Sequence, residues 1–198
     1  MKTRIIIPAR LKSTRFPNKL IQLINNISLI EHICIRAKKI PCYSVIVATD
    51  DIKIKSLVEQ HGIDVWFSKK KFLNGTHRIA CLCKEYGFNK NDNIINIQGD
   101  EPLVDFKVID NLIDSFKDIN VNMSTVISKN LSIHDLIDPN VVKAMIDEKF
   151  NAVNFKREVL DIDIGGLYRH IGMYAYRRET LFHFSNLPIT KSEELTKL

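Results

Sequence analysis

Several familiar signatures are missing from this chain. No run approaches the ~18 consecutive apolar residues that span a bilayer. At the start, Pro8 and Arg10 interrupt Ile5, Ile6 and Ile7 before a secretory leader can form. The four cysteines, Cys34, Cys42, Cys81 and Cys83, include no CxxC pair, and Cys81 and Cys83 would point to different sides of a helix. That spacing argues against a zinc site and suits reduced thiols in the cytoplasm. There is no GxxxxGK[ST] and no GxGxxG, so a P-loop ATPase or a dinucleotide-dependent dehydrogenase has no support. Aromatic residues make up only 8% of the chain, and the formal charge of +6 is spread rather than clustered. With no reading motif, a nucleic-acid partner is disfavoured. The densest basic run, Lys69, Lys70 and Lys71, reads as a solvated loop. No repeat, low-complexity tract or linker divides residues 1–198, which read as a single domain.

What is present is the balance of a soluble globular protein, 45% hydrophobic and 26% charged. Short β-branched runs alternate with helical periodicity, the pattern of βαβ units around a mostly parallel sheet. Residues 4–7, 44–48, 64–67 and 93–97 read as strands. Ser28 caps a helix carrying Leu29, Ile33 and Ala37, and Asp51 caps another carrying Ile54, Leu57 and Val58 up to Gly62. Residues 76–86 form a third helix, with Ile79, Ala80, Leu82, Cys83 and Tyr86 inward and Gly87 beyond its end. A fourth helix contains Val108, Ile109, Leu112, Ile113 and Phe116. Residues 123–127, 144–146 and 170–176 read as further strands in an order the pattern does not reveal.

The chemistry gathers where strands end. After the first strand, Ala9 leads into a loop that places Arg10, Lys12, Arg15 and Lys19 within ten positions, with Ser13 and Thr14 between them. Ligands of open α/β sheets bind outside the carboxyl ends of strands, so such a loop is placed to hold a chain of phosphates. Arginine can chelate two oxygens while lysine acts as a compact charge. The fourth strand runs into Gln98, Gly99 and Asp100. Gly99 permits close backbone approach, and Asp100 is the first candidate for a magnesium ligand, since that ion takes one or two carboxylates together with phosphate oxygens and water. Asn74, Gly75, Thr76 and Arg78 open the third helix, where free N–H groups and a guanidinium can receive an anion or a base edge. His170 and Tyr174 are four apart and would share one face of a strand.

With these segments in view, nearly the whole chain resembles the 3-deoxy-manno-octulosonate cytidylyltransferases, the CMP-Kdo synthetases of lipopolysaccharide assembly. The resemblance rests on IIPARLKSTRFPNK at 6–19, VIVATDD at 45–51, NGTHRIA at 74–80, NIQGDEP at 96–102, DPNVVK at 138–143 and RHIGMYAYR at 169–177. It implies a Rossmann-like nucleotidyltransferase α/β fold with helices on both faces and a small inserted sheet that helps form a homodimer. It further implies CTP with magnesium as donor, Kdo as acceptor and the cytoplasm as location. Ala9, Arg10, Arg15, Lys19, Gly75, Thr76, Arg78, Gln98 and Gly99 would then meet the nucleotide. Arg10, Arg15, Lys19 and Asp100 would carry catalysis, with Asp100 on the metal, and Arg157, His170 and Tyr174 would face the sugar acid.

CMP-sialic acid synthetases share the IIPAR opening, but their basic loop continues differently from STRFPNK. The chain departs from the Kdo pattern at Asn18 and Leu20, where glycine and proline are usual, and at Lys156, where serine precedes the arginine. Ser192, Glu193 and Glu194 read as a helix start, with Leu195 and Leu198 beginning its apolar stripe. The resemblance implies a continuation that brings a second aspartate to the metal, so the chain is read as C-terminally truncated. A non-catalytic remnant that binds nucleotide or self-associates is the alternative reading.

Overall fold

The computed structural model describes residues 1–11, 16–103, 105–159 and 166–188. The chain divides into two compact units, Met1–Ser124 with Met173–Asn186, and Thr125–Gly172 with Leu187–Leu198.

In the first unit, strands β1 (Thr3–Ala9), β4 (Ser44–Thr49), β5 (Asp64–Phe67) and β6 (Asn93–Ile97) are all parallel, in the order β5-β4-β1-β6. Residues Met173–Arg177 of β10 (Leu167–Arg177) then pair antiparallel with β6. Ile6, Ile46, Ala48 and Ile94 pack on one face against Ile79, Leu82 and Cys83 of α3 (Gly75–Glu85) and Leu181 of α6 (Arg178–Ser185). Their strand neighbours Ile5, Ile7, Val47 and Ile95 point the other way and are equally buried. A sheet apolar on both faces needs cover on both, which is why these strands read as continuous Ile and Val runs rather than alternating ones. Between β1 and β4 lie a two-stranded antiparallel sheet, β2 (Leu23–Ile24) with β3 (Ile27–Ser28), and helix α1 (Leu29–Ala37). Asn25 and Asn26 turn that hairpin with φ of 52° and 64°, the left-handed pair that a tight hairpin turn requires. Helices α2 (Ile52–Glu59) and α4 (Phe106–Asp114) follow β4 and β6.

The capping readings hold. The Glu31 carboxylate accepts from the Ser28 backbone N–H at 2.9 Å, and Asp51 accepts from Lys53 and Ile54 at 2.8 and 3.2 Å. Tyr86 is a correction: it is 46% exposed, because α3 ends at Glu85 and Tyr86 is its C-cap rather than part of the inner face.

The second unit is built on β8 (Lys143–Ile146), which pairs antiparallel with β9 (Ala152–Lys156) on one side and with Leu167, Tyr168 and Arg169 of β10 on the other. Strand β7 (Met123–Ser128) also pairs with β10, and a short helix α5 (Ile133–Ile137) precedes β8. The helix expected from Ser192 lies outside the described residues. Among the described residues, no helix is long and apolar enough to cross a membrane.

Candidate active site

Three carboxyl-terminal strand ends and one helix start meet around Pro8. Ala9 is paired with Thr49, so Arg10 and Asp50 leave β1 and β4 at the same level. A Cβ on Gly99 would stand 3.0 Å from the Pro8 carbonyl oxygen and 3.4 Å from Leu20, and a Cβ on Gly75 would stand 3.4 Å from the Pro8 ring. The two glycines thus bring the β6 loop and the α3 N-terminus against the end of β1. What approaches Gly99 closely is the chain's own backbone. Asn74 caps α3, its side-chain oxygen accepting from His77 N–H at 3.0 Å.

Arg78 is 1% exposed. Its Nη2 donates to Asp50 at 3.1 Å, and its guanidinium lies over the Phe72 ring at 5.2 Å. Among the described residues, Arg78 Nε, Arg78 Nη1 and Arg10 Nη2 are buried with no hydrogen-bond partner. Each such group costs about 1–3 kcal/mol, and native structures keep few of them. Burial lowers the Arg10 pKa from its ordinary value and the like charge of Arg78 adds to this, while Asp50 acts in the opposite direction. Two desolvated cations thus share one carboxylate, and three donors point at no acceptor. The arrangement fits a polyanion with oxygens to spare.

Lys19 donates to Asp100 at 3.0 Å, both side chains remaining well exposed. Asn18, with φ of 60°, turns the chain into the 3-10 turn that carries Lys19 and buries Leu20. Gln98 donates to Asn96 at 3.4 Å. Thr76 and Asn96 share hydrogen bonds with the Tyr176 hydroxyl, whose pKa burial raises. The Thr76 hydroxyl therefore braces the floor of the site as well as standing at its edge. Arg15, with Lys12, Ser13 and Thr14, lies outside the described residues.

Of the sugar-acid candidates, Tyr174 belongs to the first unit, paired with Asn96 and stacked on Tyr176 at 6.0 Å. Arg157 and His170 belong to the second unit, at the end of β9 and in β10. Arg157 Nη1 donates to the Pro139 carbonyl at 3.0 Å. The His170 ring lies 2.9 Å from the Thr125 hydroxyl and edge-on to Phe155 at 4.8 Å.

Burial holds the His170 pKa down at about 4 against an ordinary 6.5. The imidazole is neutral at neutral pH, so it serves as a hydrogen-bonding group and not as a cation for a carboxylate. Because the folded value is depressed, the associated stability is complete above the unfolded pKa and is lost as pH falls from about 6.5 towards about 4. Asp135 and Asp138, held below the usual carboxylate range mainly by hydrogen bonds to backbone N–H groups, add an acid loss of their own that a His170 substitution leaves in place. Urea midpoints of the parent and His170→Gln, compared at pH 7 and pH 4.5, are expected to show a shallower acid decline in the variant. Parallel declines would mean that His170 is not a buried neutral group.

Two residues of the site escaped the sequence reading. Asp50 was hidden beside Asp51, though only one of two adjacent acids at a strand end is needed to cap the following helix. Asn96 interrupts the isoleucines of β6 two positions before Gln98, and so shares its face, which is the signal that marked it.

A cytidylyltransferase family model matches residues 4–198. The 3-deoxy-manno-octulosonate cytidylyltransferase of Fusobacterium nucleatum subsp. nucleatum is 38% identical over 203 residues, covering 100% of this chain and 82% of that protein. The 8-amino-3,8-dideoxy-manno-octulosonate cytidylyltransferase of Shewanella loihica is 37% identical over 205 residues, covering 100% of this chain and 84% of that one. Among solved structures, a CMP:2-keto-3-deoxy-manno-octonic acid synthetase complexed with CTP matches all of this chain and 83% of its own, with a TM-score of 0.88 at 28% identity. A 4-diphosphocytidyl-2C-methyl-D-erythritol synthase shares the fold alone, with a TM-score of 0.68 at 13% identity over 100% of this chain and 85% of that one. On the family match and on relatives aligned along its whole length, this chain belongs to the cytidylyltransferase family.

Proposed function

We propose that the chain transfers a cytidylyl group from CTP to 3-deoxy-manno-octulosonate, giving CMP-Kdo and diphosphate for lipopolysaccharide synthesis. The observation that carries this reading is the set of buried guanidinium donors of Arg10 and Arg78 at the strand ends that find no partner among the described residues. The reaction is attack of the sugar's anomeric hydroxyl on the α-phosphate of CTP, with diphosphate leaving. Arg10, Arg15 and Lys19 hold the triphosphate, while Thr76, Arg78 and Gln98 meet the cytidine side, with Ala9, Gly75 and Gly99 of the nucleotide-binding set contributing backbone rather than side chains. Arg157, His170 and Tyr174 take the sugar acid. Positioning and charge neutralisation by these donors supply most of the rate.

Asp100 fits a magnesium ligand as an exposed carboxylate past a strand end: the ion would take the place that Lys19 holds at 3.0 Å and complete its shell with phosphate oxygens and water, freeing the ammonium for the phosphates. Bound there, magnesium supplies charge neutralisation on the phosphates. In this reading the chain works as a homodimer in the cytoplasm, partnering neither nucleic acid nor membrane.

The acceptor has two close forms among the relatives, Kdo and its 8-amino analogue. Diphosphate release by the purified chain, measured with CTP and magnesium, is expected to need an added octulosonate and to be faster with Kdo than with the amino sugar. Equal release without any sugar would reject the reading. A clear preference for the amino sugar would keep the reaction and change the substrate.

A further inference from the structure

Lys143 closes the DPNVVK segment, and no role described so far uses it. It sits in the middle strand β8, opposite Lys156 of β9 and Arg169 of β10, and its side chain is 0% exposed. An ammonium out of water is costly unless its protons are donated, and an apolar residue would fill the same place without that cost. Burial lowers the Lys143 pKa, against the opposing pull of Asp138 and Asp135.

The donated protons show what the lysine holds. Nζ donates to the carbonyl of Asp138 at 2.8 Å and to the carbonyl of Arg157 at 2.6 Å. The Arg157 side chain returns to the same turn, donating to the Pro139 carbonyl at 3.0 Å. Backbone and side chain of Arg157 are thereby both tied to the turn before β8, one through the ammonium and one directly. The neighbouring strand is pinned to this turn as well, since His170 N–H donates to the Val142 carbonyl at 2.9 Å.

We infer that Lys143 is a positioning residue that fixes the Arg157 guanidinium for the carboxylate of the sugar acid. The inference rests on the reading of Arg157 as a sugar-acid ligand. Lys143 itself touches no substrate, so its removal acts on sugar affinity and leaves nucleotide binding alone.

Steady-state kinetics of the full chain test this through a double-mutant cycle. Lys143→Met is expected to raise KM for Kdo about tenfold, the coupling typical of residues sharing one network, with KM for CTP changed by less than about twofold. In an Arg157→Ala background the same substitution is expected to add nothing to KM for Kdo. A rise in both KM values together, or a full additional rise on top of Arg157→Ala, would overturn the inference while leaving Arg157 a sugar ligand. An unchanged KM for Kdo in Arg157→Ala alone would instead remove the reading on which it rests. Should the methionine variant not fold, Lys143→Gln keeps one donor for one carbonyl and is expected to move KM for Kdo in the same direction, about threefold; no change in a folded Lys143→Gln overturns the inference.

Discussion

Replacing Arg78 by methionine is expected to lower kcat/KM for CTP by about 10²- to 10⁴-fold without destabilising the fold. Hydrogen bonds from a charged donor are worth about 1.5–3 kcal/mol each, and each 1.4 kcal/mol is a factor of ten. Two buried donors of Arg78, Nε and Nη1, have no partner among the described residues, and in the proposed function both go to the nucleotide. On the stability side the terms nearly cancel. The substitution removes the Asp50 ion pair, whose acid partner is 41% exposed, and the stacking over Phe72. It also removes two orphaned donors and the repulsion felt by Arg10. Breaking a half-solvated pair costs little, whereas relieving buried unpaired donors gains about 1–3 kcal/mol each. Thermal unfolding should therefore show Tm unchanged or raised while isothermal titration shows CTP binding lost. Arg78→Lys should rescue little, because a point charge on a flexible stem does not reproduce the planar donor set. A variant losing stability in step with activity would make Arg78 a structural arginine.

Much of this site was legible because its signals are local. The strands show themselves as β-branched runs, the helices by capping residues such as Ser28 and Asp51, and the site by basic residues placed where strands end. What was not legible either lacks a local signal or depends on distance in the chain. The hairpin at Leu23–Ile24 and Ile27–Ser28 is too short for a periodicity, and its turn is Asn-Asn rather than the commoner pairs ending in glycine. Helix α6 follows β10 directly, and its N-cap, Arg177, makes no side-chain cap, so the usual start signal is absent. Strand β9 exposes Ala152, Val153 and Asn154 in succession and so has no alternation to read. The partners of Arg78 and His170 lie 28 and 45 positions away, at Asp50 and Thr125, and only the fold brings them together. Burial of Lys143 is likewise a tertiary fact, since a lone lysine in a strand reads as an edge or surface residue.

Asp100→Asn should separate chemistry from folding even more cleanly than Arg78→Met. In the described structure the carboxylate accepts from Lys19 at 3.0 Å, with side chains 50% and 39% exposed. An exposed pair of this kind contributes about 0–1 kcal/mol, so the fold does not depend on it. Its placement is nonetheless costly to build: Gly99 must pass 3.0 Å from the Pro8 carbonyl oxygen in Cβ terms, and Asn18 must adopt a positive φ to present Lys19. A surface ion pair worth so little does not account for such constraints, whereas the proposed roles would: a carboxylate holding a cation and an ammonium, both serving one phosphate chain. The amide keeps the shape and loses the charge, so Tm should stay within a few degrees while kcat falls about 10²- to 10³-fold, the scale seen when one electrostatic stabiliser is removed. Lys19→Met should act differently, raising KM for CTP more than it lowers kcat, since it removes a phosphate contact. Magnesium titration of the CTP complex, followed by the intrinsic fluorescence of Trp66, supplies a readout independent of turnover. An Asp100→Asn protein with parental magnesium dependence and parental kcat would show that the carboxylate only restrains Lys19.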